Sequence, residues 1–295
     1  MSLLPKITII TPVLNGAKTL EKAIQSLLDQ NYPNLEYIVL DAASTDGTVD
    51  IIQKYKQHIT FWRSHPDGGP APAHNEGLRR ATGEIIAFLN ADDWYEPGVL
   101  QRVGEALAKD PDLDVVNFQA QMQLGDRIDV VAPEKCDFHS GEIPTLIPNA
   151  RFLTRRLYDK LGPFIEEFGG HKIIGFDLEF IWRVCLAEPK SLFIPQVAYT
   201  YFVHEGSMTF SDNPAMKLRL ARERTLFSLD YLKRYTLNKT WHQSMRKNIR
   251  KSQLILLKDA LKNKNYAGAR REFMIAYQVL GMAFVWFLMR KGWWG

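Results

Sequence analysis

The chain has 295 residues, of which 46% are apolar and 24% charged, and its net charge is +4. This is room for one large domain, or a domain with an appendage, and it excludes a disordered chain. Cys136 and Cys185 stand too far apart for a CxxC pair, which argues against a disulfide framework or a cysteine zinc site and fits a reducing compartment.

Met1 to Lys6 has no basic start followed by an apolar run, so a cytoplasmic location is expected. Ile7 to Ile10 then reads as a strand, Ala17 to Leu28 as a helix, Leu35 to Leu40 as a strand and Thr48 to Gln57 as a helix. The order continues with a strand at Ile59 to Arg63, a helix near Ala71 to Ala81 and a strand at Glu84 to Leu89. Such alternation predicts a mainly parallel sheet with helices on its faces. Asn15-Gly16, Pro33-Asn34, Asp46-Gly47 and Gly68-Gly69 supply the turns between elements. After residue 112 the pattern is less regular: a strand at Asp114 to Gln119, a Pro-containing loop from Ala132 to Pro148, and a helix from Asp177 to Leu186. Beyond residue 212 it is helical, at Pro214 to Arg234, Thr240 to Lys262 and Ala267 to Met289. The boundary between body and tail is expected within Gly206 to Asn213, dividing the chain into residues 1–210 and 211–295.

Asp41, Asp67 and the pair Asp92-Asp93 each stand at or beside a predicted strand end. One such aspartate is ordinarily a turn former or a helix cap. Three in succession point to one sheet edge, where ligands bind in open α/β sheets. Two carboxylates as close as Asp92 and Asp93 favour protonation of one or capture of a cation, and hard oxygen ligands imply Mg2+ or Mn2+. The alternative is a solvated Asp-Asp turn before a helix that starts near Pro97.

Ile7 to Asn15 (ITIITPVLN), Val39 to Thr48 (VLDAASTDGT), and Ala81 to Glu84 (ATGE) leading to Leu89 to Asp93 (LNADD) together resemble the family 2 glycosyltransferases, in order and in spacing over about the first hundred residues. The resemblance implies an α/β chain of the GT-A type, a Rossmann-like, mainly parallel sheet with flanking helices, here with a C-terminal helical extension. It implies an inverting transfer from a nucleoside-diphosphate sugar, with a UDP-sugar favoured, to the hydroxyl of a saccharide or lipid-linked acceptor, in cell-surface polysaccharide or glycolipid synthesis. Thr11, Pro12 and Val13 would wrap the nucleoside with main-chain groups, Asp41 would bond the base, and Asp67 would lie on the donor side. Asn75 matches another recurrent position, or packs in its helix. The family's D-x-D element falls on Asn90-Ala91-Asp92. Asp92 would hold an Mn2+ or Mg2+ ion bridging the donor phosphates, while Asn90 stands where an aspartate usually meets the ribose. Asp93 would share that role or ligate the metal. His204 matches a histidine near the metal or diphosphate. Asp177, in GFDLEFIWR from Gly175 to Arg183, resembles the catalytic base, with Glu179 in reserve; otherwise Asp177 is a helix cap.

Two other classes compete. A nucleotidyltransferase needs a Gly-rich phosphate loop after the first strand, but Thr11 to Thr19 holds only Gly16 and no GxGxxG or GxxxxGK[ST] occurs. A non-catalytic sugar-nucleotide-binding or membrane scaffold protein would keep the motifs without turnover. Nucleic-acid binding lacks any recognition motif.

The charge is concentrated in the tail. From Lys239 onward twelve Lys or Arg face only Asp259 and Glu272, a balance of +10 that leaves −6 for the other 238 residues. Phe273 to Met289 is apolar except for Gln278, and is bracketed by Arg270-Arg271 and Arg290-Lys291, with Trp293-Trp294 beyond. At about 1.5 Å per helical residue this run falls short of a bilayer core of about 30 Å. The expectation is an interfacial anchor on an anionic membrane surface, holding the protein peripherally on the inner face of the cell membrane; the alternative is a buried core or dimer helix.

Overall fold

A computed structural model of the chain describes residues 4–130, 148–207 and 213–290. The chain divides into two compact units, the first holding the first two stretches and the second holding the third. Cys136, Lys291, Trp293-Trp294 and all but the last residue of the expected loop at Ala132 to Pro148 lie outside the described residues.

The first unit opens with the predicted alternation: β1 (Ile7–Val13), α1 (Leu20–Leu28), β2 (Leu35–Asp41), α2 (Thr48–Lys54), β3 (Phe61–Ser64), α3 (Pro70–Arg80) and β4 (Ile85–Phe88). α1 forms because Leu20, Ala23, Ile24 and Leu27 recur at helical spacing, and all four are fully buried. Each such leucine or isoleucine contributes about 1.5–3 kcal/mol by leaving water. α2 ends earlier than expected, giving way to a 3-10 turn at Lys56–His58.

Next come β5 (Trp94–Tyr95), α4 (Val99–Lys109), β6 (Val115–Leu124), β7 (Arg127–Val130), β8 (Arg151–Thr154), α5 (Arg155–Leu161), β9 (Glu167–Phe168), β10 (His171–Lys172), α6 (Phe176–Leu186) and β11 (Ser191–Val203). β11, with 13 residues, carries no clean strand signal because Pro195 and register shifts between Ile194 and Tyr199 interrupt its alternation.

The main sheet runs β3-β2-β1-β4-β8-β6-β11-β5, with β7 beside the outer part of β6. β1 is parallel to β2 and β4, β2 to β3, and β6 to β11. β8 is antiparallel to both β4 and β6, so those two run the same way. The carboxyl ends of β1, β2, β3, β4, β6 and β11 therefore share one edge. The chain steps outward from β1 to β3 and then returns to the other side of β1 with β4, which makes the β1/β4 boundary the switch point where open sheets bind ligands.

Two close approaches lock this half. A methyl at Gly77 of α3 would lie 2.5 Å from Ile10 Cγ2, and one at Gly83 would lie 2.7 Å from the Thr8 nitrogen. Gly83 also donates its N–H to Thr8 Oγ1. Buried Glu36 accepts hydrogen bonds from Thr8 Oγ1 (2.5 Å) and from Thr82 N and Oγ1. Although burial opposes its charge, these bonds and Lys6 bring its carboxyl down to about 2.

The second unit is helical: α7 (Pro214–Arg234), α8 (Lys239–Lys262), α9 (Tyr266–Leu280) and α10 (Met282–Arg290). Asn213, Asn238 and Asn265 cap the first three through their side chains. The single helix expected from Ala267 to Met289 is in fact two. Gly281 adopts φ +62°, and α9 and α10 meet at a bend of 119°. Leu257, Ala260, Ala276, Leu280, Phe284 and Leu288 form the core beneath them. Among the described residues no single helix is long and apolar enough to cross a membrane; α9 and α10 together would suffice by length and composition only.

Candidate active site

The loops after β1 and β2 are clamped to each other. Asn15 N donates to Ser44 Oγ (2.7 Å) and Thr45 N to Asn15 Oδ1 (3.0 Å), while Ala17 N donates to Asp46 Oδ2 and Gly16 N to Thr48 Oγ1. Ala43 sits at φ +64°, a conformation that costs a non-glycine residue about 1 kcal/mol. It is held there by Ala42 N on the Val13 carbonyl (2.9 Å) and by Ser44 N on Asp41 Oδ2 (3.0 Å).

Thr11, Pro12 and Val13 form the end of β1, and their main chain pairs with Val39, Leu40 and Asp41 of β2. β4 accompanies β1 only as far as Ile10, so past that point one main-chain edge of these three residues leaves the ladder at the switch point. Thr11 is fully buried, with its hydroxyl accepting from Tyr37.

Asp41 ends β2 with no exposed surface; Ser44 and Ser64 both donate to its carboxylate. A base could reach that carboxylate only if one of these serines turned away. Asp67 also faces inward: its Oδ2 accepts from Arg63 Nη2 (3.0 Å) and its Oδ1 from Gly69 N (3.0 Å). Arg63, itself buried, bridges Asp67 to Glu76 (2.8 Å). In this arrangement the carboxylate holds the loop before α3. Asn75 likewise braces the fold, exchanging hydrogen bonds with the Phe164 main chain at 2.8 and 2.9 Å.

After β4 the neighbouring carboxylates part. Asp92 is about one-third exposed, and its Oδ2 lies 3.1 Å from His204 Nε2, beyond the end of β11. Asp93 is 1% exposed. Its Oδ2 accepts from Tyr199 Oη (2.6 Å) and Asn90 Nδ2 (2.9 Å), and its Oδ1 from Phe202 N (2.9 Å). Burial first, and then the charge of Asp92, raise its carboxyl to about 7, against the pull of those donors. Asp93 therefore ties the segment after β4 to β11. Asn90 is committed to the same network, since its N–H also donates to Tyr199 Oη. The sequence reading missed Tyr199 and Asn149, whose Nδ2 donates to that hydroxyl (3.1 Å).

Asp177 lies in the first turn of α6, half-buried, and its Oδ1 accepts from Leu178 N. It lines a small cavity with His74, Phe88, Asn149, Arg151 and Tyr158. Asn149 thus borders both this cavity and the Tyr199–Asp93 network. Glu179, the reserve base, is buried and ion-paired with Arg183 at 2.9 Å.

The donor set at Asp92 and His204 suits a divalent ion. Two ligands on adjacent vertices of an octahedral ion, each at about 2.1 Å, stand about 3.0 Å apart. The described residues contain no cluster of three His, Cys, Asp or Glu placed to hold an ion, so phosphate oxygens and water would complete the shell, as is usual for Mg2+ at phosphates. Asp92 fits as it stands. His204 Nδ1 accepts from Gly206 N (3.2 Å), which leaves the ring proton on Nε2, facing Asp92. Ligation through Nε2 requires that proton to move to Nδ1 and the Gly206 N–H to turn away.

A mostly parallel sheet with its acidic residues at the switch point defines a GT-A type fold. The family described as Glycosyl transferase family 2 matches residues 8–157, or 150 of 295 residues, and the chain belongs to that family. The glycosyltransferase TuaG of Bacillus subtilis (strain 168) is 31% identical over 151 residues, 48% of this chain and 59% of its own length. The chain therefore spans less than two thirds of that relative. Among solved structures, S. aureus TarS 1–349 in complex with UDP-GlcNAc aligns over 92% of each chain, with 19% identity and a TM-score of 0.58. Mannosyltransferase PcManGT from Pyrobaculum calidifontis, in complex with GDP-Man and Mn2+, aligns over 99% of this chain and 88% of its own, with 18% identity and a TM-score of 0.58.

Proposed function

We propose that the protein moves a sugar from a nucleoside-diphosphate sugar to a hydroxyl of a saccharide or lipid-linked acceptor, with inversion at the anomeric carbon, in cell-surface polysaccharide or glycolipid synthesis. The observation that carries this reading is the placement of an acid–imidazole pair about one-third exposed, Asp92 and His204, at the switch point of a family 2 chain, where a donor diphosphate would meet it. A UDP-sugar is the first donor to test, supported by TarS bound to UDP-GlcNAc; a GDP-sugar is the second, supported by PcManGT.

Asp177 accepts the proton of the acceptor hydroxyl as that oxygen forms its bond to the anomeric carbon. The bond from that carbon to the donor diphosphate breaks on the opposite face, and the diphosphate leaves with the electron pair. A single displacement of this kind inverts the configuration. An Mn2+ or Mg2+ ion held by Asp92, with His204 beside it, would supply positive charge against the diphosphate. Because the loops after β1 and β2 are already clamped to each other, receiving the nucleoside needs only side-chain rotations such as that of Ser44 or Ser64 off Asp41, which limits the entropy lost on binding.

The test uses the full chain, a panel of UDP-, GDP- and dTDP-sugars with manganese, and NMR assignment of the product anomer. Inverted product is expected, together with a loss of about 10²- to 10⁴-fold in kcat for Asp177→Asn at unchanged donor affinity. Retained configuration, or near-wild-type turnover by Asp177→Asn, overturns the reading.

A further inference from the structure

We propose that the outward face of α10, with the adjoining part of α9, seats on an anionic phospholipid surface. On α10 the side chains of Met282, Trp286 and Met289 are 56%, 64% and 53% exposed. Their spacing of four and then three residues stacks them along one side of the helix. The other side carries Phe284 and Leu288, which are almost fully buried in the helical core. α10 thus has two apolar faces, and one of them is exposed among the described residues. Met274 and Tyr277 of α9, three residues apart, are also substantially exposed.

The charge of the helical unit selects the occupant, and Arg250 of α8 lies over Phe287 of α10, its guanidinium carbon 5.1 Å from the ring centroid. Arg290 is exposed at the end of α10 and Arg270 and Arg271 on α9; Lys247, Lys251, Lys258 and Lys262 are exposed on α8. Against them stand Asp259 and a buried Glu272 that already pairs with Arg271 at 2.7 Å. A second copy would present the same cations to the same cations, as the self-complementary geometry of a dimer requires, whereas anionic headgroups neutralise them. The geometry also sets the depth. α10 has 9 residues and α9 has 15, about 14 and 23 Å of helix, each short of a bilayer core of about 30 Å. With a bend of 119° between them, the pair suits shallow insertion with Trp286 at headgroup level. This inference rests on the helical unit alone, so its failure leaves the sugar-transfer reading untouched.

The full-length protein is sedimented with vesicles of phosphatidylcholine alone or mixed with phosphatidylglycerol, at low and high salt. Binding to the mixed vesicles is expected to exceed binding to the neutral ones at least about tenfold and to weaken as salt rises. Trp286→Ser with Met289→Ser should lower that binding at least about tenfold while the circular dichroism melt stays unchanged. If this double variant melts early, Met282→Ser with Met289→Ser takes its place. Absence of binding to the mixed vesicles overturns the proposal, as does equal binding by the folded variants. A concentration-dependent dimer abolished by the same substitutions overturns it in favour of a second copy.

Discussion

The candidate sites of the two units use polarity in opposite ways. In the sheet unit, carboxylates are drawn inward and given donors: Glu36 by two threonines, Asp41 by two serines, and Asp93 by a tyrosine, an asparagine and a peptide N–H. In the helical unit, apolar side chains are turned outward on helices rich in Lys and Arg. Enclosed polar groups make a site by being fixed, since a preorganised charge stabilises a transition state without reorganising. Exposed apolar groups make one by being available to a partner. The first kind of site should respond to substitution in stability and rate together, except where a group is left open on purpose.

Asp92 and Asp93 put that exception to the sharpest test. Asp92 is part-exposed and touches His204, whereas Asp93 is buried under three donors. Asp92→Ala is expected to cut sugar transfer about 10²- to 10³-fold while leaving stability within about 1 kcal/mol. Asp93→Ala is expected to lower stability by about 2–4 kcal/mol, because the Tyr199 hydroxyl and Phe202 N–H lose their buried acceptor. Activity and urea unfolding measured on both variants decide the matter. If Asp92→Ala unfolds as readily as Asp93→Ala, the division between an open and an enclosed carboxylate is wrong.

A second test of the enclosed region is its pH response. His74 stacks on Phe88 with ring centroids 4.3 Å apart and bonds the Pro70 carbonyl through Nδ1. Burial lowers its pKa from 6.5 to about 4, with the Pro70 carbonyl and the charge of Asp67 partly offsetting that. The folded state therefore resists protonating a ring that the unfolded chain protonates at 6.5. The associated stability is fully present above pH 6.5 and is lost as pH falls toward 4, by about 3 kcal/mol in all. Glu36 acts lower down, between 4.5 and about 2, whereas Asp93, raised from 3.8 to about 7, acts in the same interval as His74 with the opposite sign, gaining stability as pH falls. In urea titrations between pH 6.5 and 4.5, the stability of His74→Gln relative to the wild type should rise by about 2 kcal/mol as pH falls, since only the wild type resists protonating that ring; a difference that does not change with pH assigns the response to other groups.

The open and the enclosed groups were not equally legible beforehand. β1, β2 and β4 could be read because each is a short run with β-branched residues between turn residues, β3 because Ile59-Thr60 lead into its aromatic pair Phe61-Trp62, and Asp92 because it stands just after β4. That Asp93 turns inward could not be read, since its partners Tyr199 and Phe202 come from β11, where Pro195 breaks the alternation. The burial of Asp67 depends on Arg63, four residues earlier, and on Glu76 of α3, joined only once the chain has folded. The ATGE run, which the family resemblance drew on, proves to be a packing device built around Gly83 and Glu36. In the tail, α7 was legible to the residue, whereas the break at Gly281 was not, because a lone glycine inside an apolar run is also tolerated in a continuous helix.

The same substitution in each unit separates packing from backbone. A methyl at Gly83 meets Thr8 N of β1 at 2.7 Å and the carbonyl of Lys6, just before β1, at 2.8 Å, both main-chain atoms that cannot swing aside. Gly83→Ala should therefore cost about 1–3 kcal/mol through overpacking. A methyl at Gly281 meets nothing within 4 Å, but the residue stands at φ +62°. Gly281→Ala should cost only the conformational term, about 1 kcal/mol, and part of that is returned because alanine restricts the unfolded chain more than glycine does. The discriminating measurement adds Gly281→Asn, since asparagine tolerates the left-handed region. Asparagine at 281 should recover most of the alanine loss, while Gly83→Asn should do worse than Gly83→Ala. If asparagine is no better than alanine at 281, the bend between α9 and α10 is not set by the backbone of that residue.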